Sequence, residues 1–157
     1  MEALSLETTQ YLTFNLNQET FGVDVRQTRE VMDLISVTKV PRSPEYMLGV
    51  INLRGSVVPV IDLKQRFGMD AMEQSRETCI IVLEIPFGDE TLAIGAVADG
   101  VQEVLDLLQD QVEPPPKLGT ALNTEFIHGM GKVDERFVIL LDLKRIFTES
   151  ELEELAE

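Results

Sequence analysis

The side chains of this sequence best suited to chemistry are an arginine in an apolar run, a single histidine, a single cysteine and a surplus of carboxylates. The arginine is the most conspicuous. In "LGVINLRGSVVPVIDL" (48–63), Asn52, Arg54 and Gly55 interrupt a stretch that otherwise reads as β-structure. A guanidinium buried there is costly unless it is paired. Arg54 is therefore a catalytic group, a structural ion-pair partner or the exposed tip of a docking surface. Glu30, in "RQTREVMD", is the carboxylate that could answer it. Its neighbourhood has helical composition, and a helical turn would present it beside an apolar seam. An exposed helix glutamate and a partner for Arg54, or for a base on another protein, both fit that place.

Catalytic constellations are scarce. His128 sits in "EFIHGMG", between apolar residues and glycines, and reads as a turn or strand-end residue. Cys79 lies in "TCIIVLEI", where an inert buried thiol is expected. A zinc site would need carboxylates beside these two, and their spacing shows no such pattern. There is no phosphate-binding loop, dinucleotide fingerprint or nucleophile elbow. Asp62 and Asp142 each precede "LK" in a short helical segment and read as N-caps. The enzymatic alternative is a small hydrolase using Glu30 and His128, which requires the two to converge in one pocket. The expectation is a non-enzyme without cofactor or metal.

Thirteen basic against 28 acidic residues leave a formal charge of −15. That field repels phosphate backbones and anionic lipid headgroups, which argues against nucleic acid and membrane surfaces as partners. Part of the excess is the acidic tail 148–157, "TESELEELAE", which carries five glutamates and no base. Thr148 and Glu151 in it form a capping-box pattern. No apolar run approaches spanning length and the N-terminus lacks a signal-peptide pattern, so a reduced cytoplasmic location is expected.

The elements that must position these residues are short and mostly β. "QYLTFNL" (10–16) alternates, and "NQET" turns it back into "FGVDV" as a hairpin. "ISVTKV" reads as a strand, "PRSPEYM" as a punctuated connection with a short helical turn, and "VVPVI" as a strand that Pro59 places at an edge or bulge. "DLKQRFG" is a short helix capped by Asp62 and stopped at Gly68. "MDAMEQSRE" is a linker, and "VEPPPK" (112–117) a stiff loop.

The chain also repeats itself. "TCIIVLEI" lies over "TQYLTFNL", "IGAVADGVQEV" over "FGVDVRQTREV", and "VILLDLKRIF" over "VPVIDLKQRF". This brings Gly95 onto Gly22 and Glu103-Val104 onto Glu30-Val31. Copies at about 9–70 and 78–147 imply two small all-β units, each too small to bury its apolar surface alone, sharing a seam within one domain spanning 1–157. The Asn-Leu-Arg-Gly element belongs to the first copy only; the second has "GMGKVDERF" in its place.

The segments "FGVDVRQTREVM", "VPRSPEYMLGVINLRGSVVPVIDLKQRFG", "IGAVADGVQEVL", "EPPP" and "GMGKVDERFVILLDLKRIF", in that order, resemble the CheW-like coupling proteins of bacterial chemotaxis. The resemblance runs from about Gln10 to Phe147. It implies a mainly β fold with a few short helices: two small five-stranded SH3-like barrels packed through an apolar interface. It also implies a non-enzymatic adaptor joining the cytoplasmic hairpin tips of chemoreceptors to the regulatory domain of the histidine kinase CheA. Such an adaptor is cytoplasmic and recruited to membrane-associated arrays. By the same resemblance Glu30, Val31, Gly49, Asn52, Arg54 and Gly55 belong to receptor contacts, and Leu12, Val25 and Thr28 to kinase contacts. Thr28 departs from the family pattern, which favours a branched apolar residue there. A coupling protein of a non-flagellar system, such as pilus-based motility, is the alternative. The length of 157 residues argues against an intact kinase or a fusion to a receiver domain.

Overall fold

The computed structural model describes residues 8–70, 73–115 and 126–156. In chain order the strands are β1 (Thr8–Leu16), β2 (Glu19–Asp24), β3 (Thr28–Asp33), β4 (Met47–Leu53), β5 (Ser56–Asp62), β6 (Cys79–Phe87), β7 (Glu90–Ala98), β8 (Gly100–Leu108), β9 (Val112–Glu113), β10 (Ile127–Val133) and β11 (Arg136–Leu141). Three helices accompany them: α1 (Leu63–Arg66), α2 (Leu143–Ile146) and α3 (Glu149–Ala156). No described helix is long and apolar enough to cross a membrane.

Two sheets form, in the order β8-β1-β2-β11-β10-β9 and β3-β6-β7-β5-β4. The sixth strand of the first is the two-residue β9. Each sheet takes strands from both halves of the chain, so neither coincides with one sequence copy. The halves are tied by the antiparallel pairs β1–β8 and β3–β6 and by two short parallel ladders. β2 meets β11 with Gly22 opposite Leu140, and β7 meets β5 with Gly95 opposite Val60. A Cβ on Gly95 would press on Ile80 and one on Gly22 on Leu140, so small residues let these strands approach.

Strand alternation divides the core. On β6, Ile80 and Val82 point into the second sheet's own cluster with Ile51, Val58 and Val60. Cys79, Ile81, Leu83 and Ile85 point the other way, into a seam shared with Leu12, Phe14 and Leu16 of β1. Tyr11, Leu107, Val138 and Leu140 fill the first sheet. Thr13 is buried and its hydroxyl satisfies a bulge, donating to the Glu103 carbonyl at 2.8 Å and accepting from the Glu103 amide at 3.1 Å.

Local chemistry sets the turns and caps. Asn17 and Gln18 take positive φ (55° and 73°) and close the β1–β2 hairpin as a type I′ turn. The buried Asp62 accepts from the amides of Lys64 and Gln65, Asp142 caps α2 through Lys144, and Gly68 ends α1 at φ 84°. Thr148 and Glu151 form the reciprocal capping box of α3, at 2.8 and 3.2 Å.

Three local expectations fail. Residues 26–33 are not helical: a 3-10 turn over Val25–Gln27 leads into β3, where burial alternates strictly because β3 pairs with β6. "ISVTKV" forms only an isolated bridge, Thr38 to Val50, and the connection after it holds turns at 41–42 and 45–46, the Met47 amide donating to the Pro44 carbonyl at 3.0 Å. Strand β5 is interior, not an edge. Val50, opposite Pro59, turns its backbone groups to Thr38, and β7 pairing starts only at Val60, so the missing proline N–H costs no ladder bond.

Candidate docking site

The "INLRG" element is a two-residue turn rather than an extended loop. Leu53 and Ser56 are the last pair of the β4–β5 hairpin, and Arg54 (φ 52°) and Gly55 (φ 87°) close it as a type I′ turn. Asn52 fixes it from below, its side-chain oxygen accepting from the Gly55 amide at 2.8 Å. A non-glycine residue in the left-handed region is uncommon, so the turn holds Arg54 in a conformation its side chain does not favour.

The guanidinium reaches β3. Nη1 donates to Glu30 Oε2 at 2.6 Å and Nη2 to Oε1 at 3.0 Å, a bidentate pair. The hydrogen bond from Arg54 holds the Glu30 carboxyl below its ordinary range, and Glu30 in turn raises the guanidinium. The Arg54 side chain is still 65% exposed and that of Glu30 26%. Arg54 is thus both an ion-pair partner and an exposed tip. The hydrolase alternative needs Glu30 and His128 in one pocket, but His128 lies on β10 of the other sheet and Arg54 takes the Glu30 carboxylate. Cys79 is buried, and burial pushes its thiol pKa up. Among the described residues, no group of His, Cys, Asp and Glu is arranged to hold a metal ion.

The other residues singled out in the sequence scatter around this pair. Gly49 has φ 148°, and a Cβ there would overlap the Thr38 carbonyl, so it lets the 38–50 bridge form. Val31 adjoins Glu30 but points to the opposite face of β3, where it is 44% exposed. Leu12 is buried in the seam. Val25 packs against that seam from the 3-10 turn joining the two sheets. Thr28 is half-buried, its hydroxyl donating to the Asp24 carbonyl at 3.4 Å. Asp24 caps this turn and binds Arg26 at 2.8 Å, which holds its carboxyl below the usual value.

The structure adds residues that the sequence reading passed over. Val101 and Val104 are exposed on β8, an edge strand of the first sheet. They pair with Phe14 and Leu12, which face the seam, and so share that face. Val31, on β3, an edge strand of the second sheet, lies opposite Ile81, also a seam residue. Val31, Val101 and Val104 thus stand on seam-facing registers of one edge strand in each sheet. The signal was present, because the internal repeat lays Val104 onto Val31. Val57, three residues past Arg54, is 74% exposed.

The family model for the CheW-like domain matches residues 10–151, which takes in both sheets, the Arg54 turn and the seam. The chain belongs to the CheW-like family. A chemotaxis protein CheW from Klebsiella aerogenes is 35% identical over 143 residues, covering 91% of this chain and 84% of that protein. A probable chemotaxis protein CheW from Rhizobium etli is 33% identical over 142 residues, with 90% and 89% covered. The crystal structure of the scaffolding protein TtCheW from Thermoanaerobacter tengcongensis superposes with a TM-score of 0.80 at 35% identity, over 90% of this chain and 93% of that one. Within the CheW-like fold, the Arg54–Glu30 pair sits at a hairpin tip of the second sheet, and the exposed valines border the seam between the sheets.

Proposed function

We propose that this CheW-like chain is a non-catalytic adaptor that couples chemoreceptor hairpin tips to the regulatory domain of the histidine kinase CheA. The observation that carries this reading is the Arg54–Glu30 pair: a bidentate ion pair on a strained turn, exposed where the core does not require it. A charge held at a fixed point on the surface supplies orientation and specificity to a contact more than raw affinity.

In this reading a receptor helix lays its apolar stripe along the seam edge bearing Val31, Val101 and Val104. Arg54 and Glu30, with Asn52, Gly49 and Gly55 holding their turn, fix its register. The kinase's related domain packs against the 3-10 turn between the sheets, at Val25 and Thr28, with Leu12 shaping that wall from inside. Each contact is modest, and an array gains its strength from many of them. The chain works in the cytoplasm, drawn to the membrane by its receptors rather than by lipid, consistent with its charge of −15.

Pull-down of the full chain with the kinase regulatory domain and with a receptor hairpin fragment tests the reading. Capture of both supports it. Failure to retain either overturns it.

A further inference from the structure

We propose that the first half of the chain (8–70) and the second (73–156) are complementary binding partners, so that the link between them is a tether and a second copy of the chain can supply either half. Every ladder that joins one hairpin to another runs between the halves: β8 to β1, β2 to β11, β3 to β6 and β7 to β5. Among the described residues, no ladder joins the β1–β2 hairpin to β4–β5, or β6–β7 to β10–β11. Strand β3 pairs only with β6, and β8 only with β1.

The core obeys the same division. The second sheet's cluster sets Ile51, Val58 and Val60 of the first half against Ile80, Val82 and Val97 of the second. In the first sheet, Tyr11 is the first half's buried residue among Leu107, Val138 and Leu140 of the other. The seam joins Leu12, Phe14 and Leu16 to Cys79, Ile81, Leu83 and Ile85.

Buried charge is also answered across the divide. The Lys64 side chain of α1 is 7% exposed, and its Nζ donates to both Asp99 carboxylate oxygens at 3.3 Å. Asp99 in turn accepts from the Asn17 amide at 2.8 Å. An ammonium at that depth is costly without its partner, and the partner belongs to the other half. Arg66 donates Nη2 and Nη1 to the Glu151 carboxylate at 2.8 and 3.1 Å and Nε to the Ile146 carbonyl at 2.8 Å, a clamp that holds α3 on the first half.

Without its counterpart, a half would hold unconnected two-stranded hairpins, marginal in water, with open edges and bared apolar faces. The docking edge is composite for the same reason. Val31 stands on a strand held by the second half, and Val104 on one held by the first. The tether raises the local concentration of each half and favours closure within one chain.

The test inserts a protease recognition sequence into the full chain between Glu73 and Gln74, both exposed, and cuts it after folding. The two pieces are expected to elute as one particle at the volume of the uncut chain, with the amide spectra of both sheets retained. Unfolding then releases two bodies, so the Tm of the cut chain should fall by about 3–6 °C per tenfold dilution, while that of the uncut chain stays constant. Cut chain labelled with heavy isotopes, unfolded and refolded with an unlabelled preparation, should give hybrids of one heavy and one light half in native mass spectrometry. A piece that elutes alone with its amides still protected overturns the proposal, because that half is then a folding unit by itself. Loss of both sheets on cutting, a Tm independent of dilution, or the absence of hybrids overturns it as well.

Discussion

Arg54 and Glu30, 24 residues apart in the chain, meet through two hydrogen bonds across the end of one sheet, and Arg54 remains mostly in solvent. An exposed pair contributes little to folding, because water and salt screen it. Arg54→Ala is therefore expected to leave Tm within about 3 °C of the parent, since small surface effects shift Tm by that order. Receptor affinity should fall about tenfold, as for a charged residue at the centre of a contact. A large loss of Tm with unaltered binding in the folded fraction would make Arg54 purely structural.

The pair also sets a pH dependence. Glu30 has its carboxyl pKa lowered in the fold, by the Arg54 hydrogen bond first. A lowered folded pKa means a contribution fully present above the unfolded value of about 4.3 and lost as pH falls through the folded value. Carboxyl NMR titration should show Glu30 with a depressed midpoint that moves up in Arg54→Ala. Identical midpoints in the two proteins would mean that the pair does not persist in solution.

Much of this architecture is legible in the residues. The alternation of "QYLTFNL", the Asn17-Gln18 turn, the Asp62 and Asp142 caps and the Thr148–Glu151 box are local features, and local rules read them. The failures are long-range. "RQTREVMD" has helical composition and becomes a strand because β6 offers an edge more than 40 residues away, a pairing no local window contains. Pro59 marks an edge or a bulge by local rules and sits in an interior strand, because Thr38 draws Val50's backbone groups aside. At the candidate site, Arg54 and Glu30 stand out by type and context. Val101 and Val104 do not, because exposure at a seam edge depends on which strand ends each sheet.

The two glycines of the hairpin should differ in cost. At Gly49 a methyl group would drive into the Thr38 carbonyl at φ 148°, so Gly49→Ala is expected to lose about 2–4 kcal/mol by breaking the 38–50 bridge. At Gly55 nothing stands within 4 Å of the new Cβ, and Gly55→Ala meets only the penalty of positive φ, about 1 kcal/mol. Urea unfolding of both variants checks the ranking, and the reverse order would refute the hairpin geometry.

The Arg66 clamp predicts the behaviour of the tail. Burial pushes the Glu151 carboxyl up, but the Thr148 amide and the Arg66 charge outweigh it and leave the group below its ordinary value. Both side chains are about a quarter exposed, so solvent screening limits their worth. Arg66→Met keeps most of the side-chain bulk and removes the charge. It is expected to cost about 1–2 kcal/mol and to speed amide exchange in α3 well above that of the β6–β7 core. Unchanged exchange in α3 would mean that the apolar contacts of Leu152 and Leu155 anchor it without the clamp.

Val31 and Val104 supply the last test, because the repeat makes them counterparts and the structure gives both a seam-facing place on an edge strand. At 44% and 51% exposure, neither contributes much to the core. A charge there meets solvent in the free protein and an apolar surface in a complex, where an unpaired carboxylate is costly. Val31→Asp and Val104→Asp should each fold with near-parental Tm and each weaken receptor-fragment binding by at least about tenfold. Because both residues would touch one helix, the double variant should lose less than the sum of the single losses. If instead the losses add in full, the valines act independently and one helix along the seam is the wrong picture. Undiminished binding in both single variants would remove the seam edge from the receptor contact while leaving Arg54 to be judged by its own substitution.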